Sequence, residues 1–308
     1  MPETNFTKPT MTDQLLPASA PLCAAHDPDP RRPGLRLPPL ACDTHAHVCG
    51  PETRYPYWAG RVYTPPDALP SQYRHLLATL GVERAVLVQP SVYGSDNRAM
   101  LDALAADPVH LRAVAVVEPE ISNAELETLH ALGVRGARCN IVDIKEGKGR
   151  LPMELLDALA AKVRPFGWHI EFLMHVDEFP DLDRLLDRFP VDVVFGHLGY
   201  MKTGLGLQAP GYQALLRLLG SGRAWVKLTG PYRLSSGALP YADVIPFAHA
   251  LVDHAPDRIV WGTDWPHVMV KGAMPNDGDL CDLLADWVPD EAARRRVLVD
   301  NPAKLYGF

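Results

Sequence analysis

Two histidines separated by one residue, His45 and His47, lie between a proline-rich leader and a Gly-Pro turn. On an extended strand, residues i and i+2 point to the same face, so these two imidazoles converge. Converging imidazoles can bind a metal ion or polarise one carbonyl group. The alternative is one solvent-exposed histidine and one core histidine, and the elements that position the pair decide between the two interpretations.

The chain from Ala41 onward alternates short apolar runs with helical stretches. Continuous apolar runs that are each followed by a helix are typical of a parallel sheet covered by helices. Eight such strands predict an α/β fold, the closed (β/α)8 TIM barrel, at residues 39–308. A doubly wound open sheet is the alternative, but it usually carries a glycine fingerprint where this chain has His-x-His.

Residues 1–38 precede the predicted barrel and are polar and rich in proline. Prolines lack the backbone N–H that helices and central strands require. We therefore predict a flexible or loosely docked arm at residues 1–38, attached to a single barrel domain. The 308 residues of the chain, of which 47% are hydrophobic, suffice for the core of such a barrel.

Polar side chains stand at the carboxyl ends of most predicted strands. In barrels of this kind the carboxyl ends of all strands meet at one face, where the chemistry takes place. Each residue by itself is explained as a cap or a surface residue, whereas their number at one face predicts an active site. They are His45, His47, Gln89, Ser91, Arg138, Asn140, His175, His197, Lys227 and Asp264.

The alternation along the fifth and seventh strands predicts which side chains point into the barrel. On strand five, Glu171 and His175 alternate with apolar residues that must face the helices, and on strand seven Lys227 lies between two apolar residues. Glu171, His175 and Lys227 are therefore predicted to point into the barrel. A buried ammonium group requires a partner. We therefore predict that Lys227 lies near Glu171 or near Asp43 on the first strand.

Three segments together resemble the amidohydrolase superfamily. They are Asp43-Thr44-His45-Ala46-His47, His197 with the apolar strand before it, and Trp261-Gly262-Thr263-Asp264-Trp265-Pro266-His267. They are most similar to the branch that contains pyrone-dicarboxylate lactonases and related sugar and muconolactone hydrolases. The resemblance covers residues 41–308. It implies a hydrolytic barrel that opens a lactone, or a related ester-like C–O bond, of a small carboxylated metabolite.

The resemblance also implies roles for individual residues. Asp264 would deprotonate the attacking water. His45, His47 and His197 would polarise the lactone carbonyl. Arginine suits the binding of substrate carboxylates, because its planar fork matches a carboxylate group. The residues that fall where this branch binds carboxylates are Tyr63, Ser91, Arg138 and Arg233.

The chain departs from the pyrone branch at two places. Val268-Met269 follows the Trp265-Pro266-His267 segment, where that branch typically continues with Pro-Asn. Ile144-Lys145 stands where a second arginine is expected shortly after Arg138. We therefore expect either the pyrone dicarboxylate itself or, equally, a lactone with fewer or differently placed anionic groups as the substrate.

Metal dependence stays open at this point. The resemblance implies no required divalent ion for the pyrone lactonases, in contrast to most of the superfamily. If a metal is bound, one zinc ion with an open position for water is expected. Its ligands would be His45, His47, His175 and Asp264. His267 is predicted to hold the aspartate loop rather than to bind the ion.

Composition excludes several other classes of function. A net charge of -7 provides no basic surface for nucleic acid or membranes. Five cysteines without a Cys-x-x-Cys pair, and a start without a signal-peptide pattern, predict a cytoplasmic protein. The expected partner is a small acidic substrate. A homo-oligomer is a further expectation, because members of the family often form oligomers.

Two alternatives to a lactone hydrolase are kept. A metal-dependent decarboxylase or hydratase of the same superfamily would use the same histidines on an unsaturated or aromatic-derived acid. A catalytically silent barrel that serves as a binding module is disfavoured, because the histidines and Asp264 are all present.

Overall fold

A computed structural model of the chain describes residues 20–142 and 149–308. Residues 1–19 and 143–148 lie outside this description, and with them half of the predicted arm and the Ile144-Lys145 pair. Within the described ranges, eight strands form one sheet in which each strand pairs in parallel with the next. The strands are β1 Cys42–Ala46, β2 Arg84–Val88, β3 Leu111–Ala115, β4 Val134–Asn140, β5 His169–Leu173, β6 Val193–Phe195, β7 Ala224–Leu228 and β8 Ile259–Trp261.

Helices connect consecutive strands and close the chain after β8. Their ends follow local rules: α3, for example, begins at a Ser122–Glu125 capping box and ends at Gly133, whose φ of 110° suits glycine. No helix in the described ranges has the length and apolar character that a membrane crossing needs. The helices are α1 Pro70–Leu80, α2 Arg98–Ala105, α3 Asn123–Leu132, α4 Met153–Val163, α5 Leu182–Leu185, α6 Pro210–Gly220, α7 Ile245–His254, α8 Asp277–Asp282, α9 Leu284–Trp287, α10 Glu291–Arg295 and α11 Asn301–Tyr306.

The sheet closes into a barrel between β1 and the segment that follows β8. The backbone N–H of His47 donates to the carbonyl of Trp265 (2.8 Å), and the N–H of Asp264 donates to the carbonyl of His45 (2.8 Å). These bonds confirm the predicted (β/α)8 barrel. They also bring the His-x-His segment beside Asp264, although more than 200 residues separate them along the chain.

Several strands end earlier than the sequence pattern predicts. The pattern carries the fifth, sixth and eighth strands through to His175, His197 and Asp264, but each of these residues lies two or three positions past its strand. His197 and Asp264 have φ angles of 51° and 66°. A positive φ is uncommon outside glycine and incompatible with a strand, so the chain leaves the sheet at these residues.

The barrel interior contains a buried ion pair, as the alternation along β5 and β7 predicts. Lys227 Nζ lies 2.7 Å from Glu171 Oε2, and both side chains are buried. The same ammonium group donates to the carbonyl of Thr44 (2.7 Å). Glu171 is therefore the partner of Lys227. Asp43 instead accepts hydrogen bonds from Tyr73 and Thr263.

Residues 20–38, the described half of the predicted flexible or loosely docked arm, are docked on the barrel. Leu37 belongs to the hydrophobic core, and His26 is buried with its ring against Trp265. Arg31 forms ion pairs with Asp279 and Asp282 of α8. Prolines prevent this segment from forming a helix or a central strand, but they do not prevent it from packing as an extended chain on a preformed surface.

Candidate active site

Four buried side chains meet at the carboxyl-terminal face of the barrel, and we call them the His–Asp cluster: His45, His47, His197 and Asp264. The ring centroid of His45 lies 5.0 Å from that of His47 and 5.2 Å from that of His197. Asp264 Oδ1 is 3.7 Å from His45 Nε2, and Asp264 Oδ2 is 3.9 Å from His197 Nδ1. The positive φ angles of His197 and Asp264, which follow β6 and β8, bend the chain where these residues approach His45 and His47.

The two oxygens of Asp264 have different surroundings. Oδ2 accepts hydrogen bonds from the Tyr232 hydroxyl (2.6 Å) and from Arg233 Nε (2.7 Å). Oδ1 is buried without a hydrogen-bond partner among the described residues, and so is His45 Nε2, which faces it. A water molecule or an ion that binds between these two atoms would satisfy both of them.

Hydrogen bonds orient the histidine rings. His47 Nδ1 lies 2.7 Å from the carbonyl of Val88, so Nδ1 donates and Nε2 carries the lone pair. His197 Nδ1 lies 2.8 Å from the Thr229 hydroxyl. These contacts hold both rings through their Nδ1 atoms.

His45 is held from behind by the buried ion pair. Its Nδ1 lies 3.2 Å from Lys227 Nζ and 3.2 Å from Glu171 Oε1. If Nδ1 accepts from Lys227, then Nε2 carries the proton and can donate to a carbonyl oxygen. If Nδ1 donates to Glu171, Nε2 carries the lone pair that a metal ion requires.

Burial and charge together set the protonation states of the cluster. Burial alone would raise the pKa of Asp264, but the charge of Arg233 outweighs this effect and holds the pKa well below its usual value. Burial lowers the pKa of His47 to about 3, assisted by Arg138, and that of His197 to about 4. At neutral pH the site therefore contains a carboxylate beside neutral imidazoles.

A chain of hydrogen bonds leads from Asp264 into the protein. The Tyr232 hydroxyl that donates to Asp264 also lies 2.9 Å from His267 Nδ1, and His267 Nε2 lies 3.0 Å from Asp277 Oδ1. Burial lowers the pKa of His267, but the charge of Asp277 outweighs this effect and raises it overall. This chain fixes the direction in which Asp264 presents its free oxygen.

The chain matches the family model described as amidohydrolase over residues 42–308. The chain belongs to the amidohydrolase family. Its relatives include the 4-sulfomuconolactone hydrolase of Hydrogenophaga intermedia, 38% identical over 274 residues that cover 88% of this chain and 90% of the relative. The 2-pyrone-4,6-dicarboxylate hydrolase of Comamonas testosteroni is 37% identical over 287 residues, with 90% of this chain and 93% of the relative covered.

A solved structure with the same fold supports this assignment. It is the crystal structure of a probable 2-pyrone-4,6-dicarboxylic acid hydrolase from Acinetobacter baumannii with citric acid bound. It superposes on this amidohydrolase with a TM-score of 0.75 at 28% identity, and the match covers 87% of this chain and 100% of that one.

Three residues of this amidohydrolase can hold a metal ion. His45, His47 and Asp264 each offer one ligand atom, and these atoms lie within 4.8 Å of one another. The unpartnered His45 Nε2 and Asp264 Oδ1 fit this use. His47 fits as well, because histidine ligands commonly donate their other ring N–H to a carbonyl, as His47 does to Val88.

His175, the fourth ligand that the sequence predicts, is not among these three residues. Its Nδ1 lies 2.7 Å from the carbonyl of Tyr200, and its side chain is only half-buried. β5 ends at Leu173, and the turn at Val176–Glu178 begins directly after His175.

The four residues predicted to bind carboxylates all lie around the cluster. Tyr63 is buried and shares a hydrogen bond with Ser91, while burial raises its pKa. Arg138 is buried and donates to the carbonyl of Gln89 (2.6 Å). Arg233 is instead occupied by Asp264 through its Nε and by the carbonyl of Val268 through its Nη2.

Two residues that contact the cluster or its supports received no role from the sequence. Tyr232 stands beside the predicted Arg233, and Asp277 lies in the Pro275-Asn276-Asp277 segment near the start of α8. The signal that points to Tyr232 is its position in the loop after β7, at the same face as the other site residues. Asp277 acts through His267, and this contact depends on how the loop after β8 folds back.

Proposed function

We propose that the protein is a hydrolase that opens the lactone ring of a small carboxylated metabolite. The observation that carries this proposal is the buried Asp264 carboxylate, whose unpartnered Oδ1 faces the neutral imidazoles. A carboxylate that stays ionised at neutral pH and has a free oxygen can accept a proton from a bound water. The names of the relatives from Hydrogenophaga intermedia and Comamonas testosteroni, both lactone-opening hydrolases, support the same reaction.

In the mechanism that we propose, Asp264 and His47 bind the attacking water, and His45 binds the carbonyl oxygen of the lactone. Water bound at Asp264 Oδ1 gives one proton to this oxygen and donates its other hydrogen to His47 Nε2. The resulting hydroxide attacks the lactone carbonyl, whose oxygen accepts a hydrogen bond from His45 in its Nε2–H form. Asp264 then returns the proton to the ring oxygen as the C–O bond breaks, so that one water is consumed and one hydroxy acid is formed.

The carboxylate groups of the substrate are assigned to Arg138 and to the Tyr63–Ser91 pair. Arg138 is buried, and its charge lowers the pKa of both His47 and His197. An anion bound to Arg138 would therefore lie beside the reacting centre. Arginine binds carboxylates through two parallel N–H groups. Arg233 serves Asp264 in this scheme, and the number of anionic groups on the substrate is accordingly small.

For a metal-bound form of the site we propose zinc, held by His45, His47 and Asp264. His45 Nε2 would then carry the lone pair instead of the proton that the metal-free mechanism assigns to it. Two imidazoles, one carboxylate and an open position form the usual ligand set of catalytic zinc, which lowers the pKa of a bound water. Metal analysis of the purified protein, followed by turnover assays after chelation, tests this assignment. Full activity in a metal-free preparation would contradict it without affecting the role of Asp264.

A panel of substrates tests the proposed reaction. We expect hydrolysis of 2-pyrone-4,6-dicarboxylate, 4-sulfomuconolactone or a related carboxylated lactone, and loss of this activity in Asp264→Asn. Asp102→Asn changes an exposed carboxylate that contacts Arg54 and Tyr55, and it serves as the matched control. Turnover of β-keto or unsaturated dicarboxylates without lactone hydrolysis would favour the decarboxylase or hydratase, which the named relatives support less.

We also propose a cytoplasmic location for the enzyme. All five cysteines are free thiols, and three of them are buried. Unpaired thiols are typical of a reducing compartment. Fractionation of cells that express the full chain tests this proposal.

A further inference from the structure

Residues 20–35 cross the rim of the barrel at the active-site face, and we call this segment the strap. It lies before residue 42, where the match to the family model begins. Its first part pairs with the loop that follows β1. Cys23 N–H donates to the carbonyl of Thr64 (2.9 Å), and Thr64 N–H donates to the carbonyl of Pro21 (2.8 Å). The strap thereby holds the residue next to Tyr63.

The middle of the strap contacts the loop that follows β8. The His26 ring packs edge-on against Trp265 at a centroid distance of 4.8 Å, and His26 is 7% exposed. The Cys23 thiol forms a hydrogen bond with the backbone of Met269. Trp265 adjoins Asp264, and its carbonyl accepts the His47 N–H. The strap therefore links the two loops that flank the His–Asp cluster.

The end of the strap is anchored on α8. Arg31 Nε donates to Asp279 (2.8 Å), its Nη2 donates to Asp282 (2.5 Å), and its backbone N–H donates to the side chain of Asn276 (2.8 Å). Asp282 also accepts the backbone N–H of Leu35 (2.8 Å). A single exposed ion pair contributes little, but this network fixes the backbone at several points.

We propose that the strap positions Tyr63 and the loop after Asp264, and that it thereby sets the affinity of the site for the carboxylated ligand. This inference rests on the proposed function, because Tyr63 is assigned there to the substrate. Loops that are ordered before binding lose less conformational entropy when the ligand arrives. A strap that ties both loops to α8 supplies this order in the free enzyme.

Two variants are designed to weaken the attachment of the strap to α8. In Gly278→Ala the new Cβ would lie 2.1 Å from the carbonyl oxygen of Arg31, so the strap must move away from α8. Gly204→Ala is the matched control, because its Cβ would meet no atom within 4 Å. Arg31→Ala removes the anchor itself. Its control is Arg217→Ala, which breaks a comparable exposed ion pair on α6.

Hydrogen exchange and ligand binding are measured in these four variants of the full chain. The Cys23 and Thr64 amides report whether the strap is docked. Citrate, the acid bound in the Acinetobacter baumannii structure, serves as the carboxylate probe in calorimetry. We expect faster exchange at both amides and a citrate Kd raised about ten-fold in Gly278→Ala and Arg31→Ala, and wild-type behaviour in both controls.

Two results would overturn the inference. One is faster exchange of the strap amides while wild-type protein and strap variants bind citrate equally. The other is unchanged exchange in both strap variants, which would mean that these contacts do not hold the segment. Citrate binding requires no turnover, so a failure of the lactone panel leaves this test intact. With an active lactone, the same variants are expected to raise KM and to change kcat by no more than about two-fold.

Discussion

At the scale of single residues, Asp264 combines an unusual backbone with unequal oxygens. Its φ of 66° and that of His197, 51°, are conformations that non-glycine residues rarely adopt. Such conformations cost about 1–3 kcal/mol each and persist where surrounding contacts impose them, often at functional sites. At Asp264 these contacts are Tyr232 and Arg233, which hold Oδ2 and leave Oδ1 for the reaction.

Tyr232→Phe tests how much the orientation of Asp264 contributes. The variant removes the hydroxyl that donates to Oδ2 and contacts His267. A hydrogen bond to a charged group contributes about 1.5–3 kcal/mol, so we expect kcat to fall by about ten- to hundred-fold with little change in KM. Steady-state kinetics with the active lactone measures the effect.

Tyr55→Phe is the control for this prediction. Its hydroxyl also donates to a carboxylate at 2.6 Å, that of Asp102, which is exposed and outside the His–Asp cluster. Its kcat should equal that of the wild type. A wild-type kcat in Tyr232→Phe would show that Arg233 alone orients the base.

The lowered pKa values predict an activity that persists into acid. His47 and His197, with pKa values of about 3 and about 4, remain neutral far below the ordinary histidine value of about 6.5. Protonation on acidification removes the imidazole lone pairs, so kcat/KM should stay level from pH 8 to about pH 5 and fall below that. A pH–rate profile, with circular dichroism to verify folding at each pH, measures this. Half-loss of kcat/KM near pH 6.5 would contradict the assignment.

At the scale of elements, β5, β7 and β1 are joined inside the barrel. Glu171 on β5 and Lys227 on β7 form a buried ion pair, and Lys227 also reaches the β1 carbonyl of Thr44. Parallel strands contribute side chains to interior layers in this way. This layer lies directly beneath His45, so the packing of the barrel and the orientation of one site residue depend on the same atoms.

Lys227→Met is expected to destabilise the fold. It leaves the Glu171 carboxylate buried without its partner, and breaking a buried pair in this way costs about 3–5 kcal/mol. Denaturant unfolding followed by fluorescence gives the free energy of unfolding. The double variant Lys227→Met/Glu171→Met should recover most of the free energy of unfolding that Lys227→Met loses, since neither charge remains. The exposed Lys304→Met is the control, and an equal loss in that variant would refute the explanation.

At the scale of the whole molecule, the buried histidines link stability to pH. His47, His169 and His197 have folded pKa values of about 3, 4 and 4 because of burial. In the unfolded chain these groups titrate near 6.5, so below that pH the unfolded state binds more protons and stability falls. Burial raises the pKa of Asp43 to about 6, and this works in the opposite direction between pH 4 and 6.

Acidification from pH 6 to pH 5 is therefore expected to reduce the free energy of unfolding. Burial also lowers the pKa of His45 well below its usual value, so four histidines against one aspartate leave a net difference of about three protons. This corresponds to about 4 kcal/mol per pH unit. Denaturant unfolding at the two pH values measures it. His169→Gln should reduce the slope, whereas His254→Gln, at an exposed position of α7, should not. A slope of zero in the wild type would contradict the prediction.

Much of the molecule follows from local patterns in the sequence. The apolar runs predict the eight strands, and alternation along β5 and β7 predicts that Lys227 points inward toward Glu171. The side chains at the strand ends predict a site at the carboxyl-terminal face, which the structure assembles as the His–Asp cluster. These inferences succeed because side-chain direction in a strand depends on position alone, and because parallel strands must expose their carboxyl ends together.

The tertiary structure alone decides the details on which the chemistry depends. It selects Glu171 over Asp43 as the partner of Lys227, brings His45, His47 and Asp264 together, and docks residues 20–38 on the barrel. It also makes the two oxygens of Asp264 different, because Tyr232 and Arg233 both donate hydrogen bonds to Oδ2. These outcomes depend on loops with positive φ angles and on contacts between distant parts of the chain. No local periodicity encodes them, because they are set by which surfaces meet once the barrel has closed.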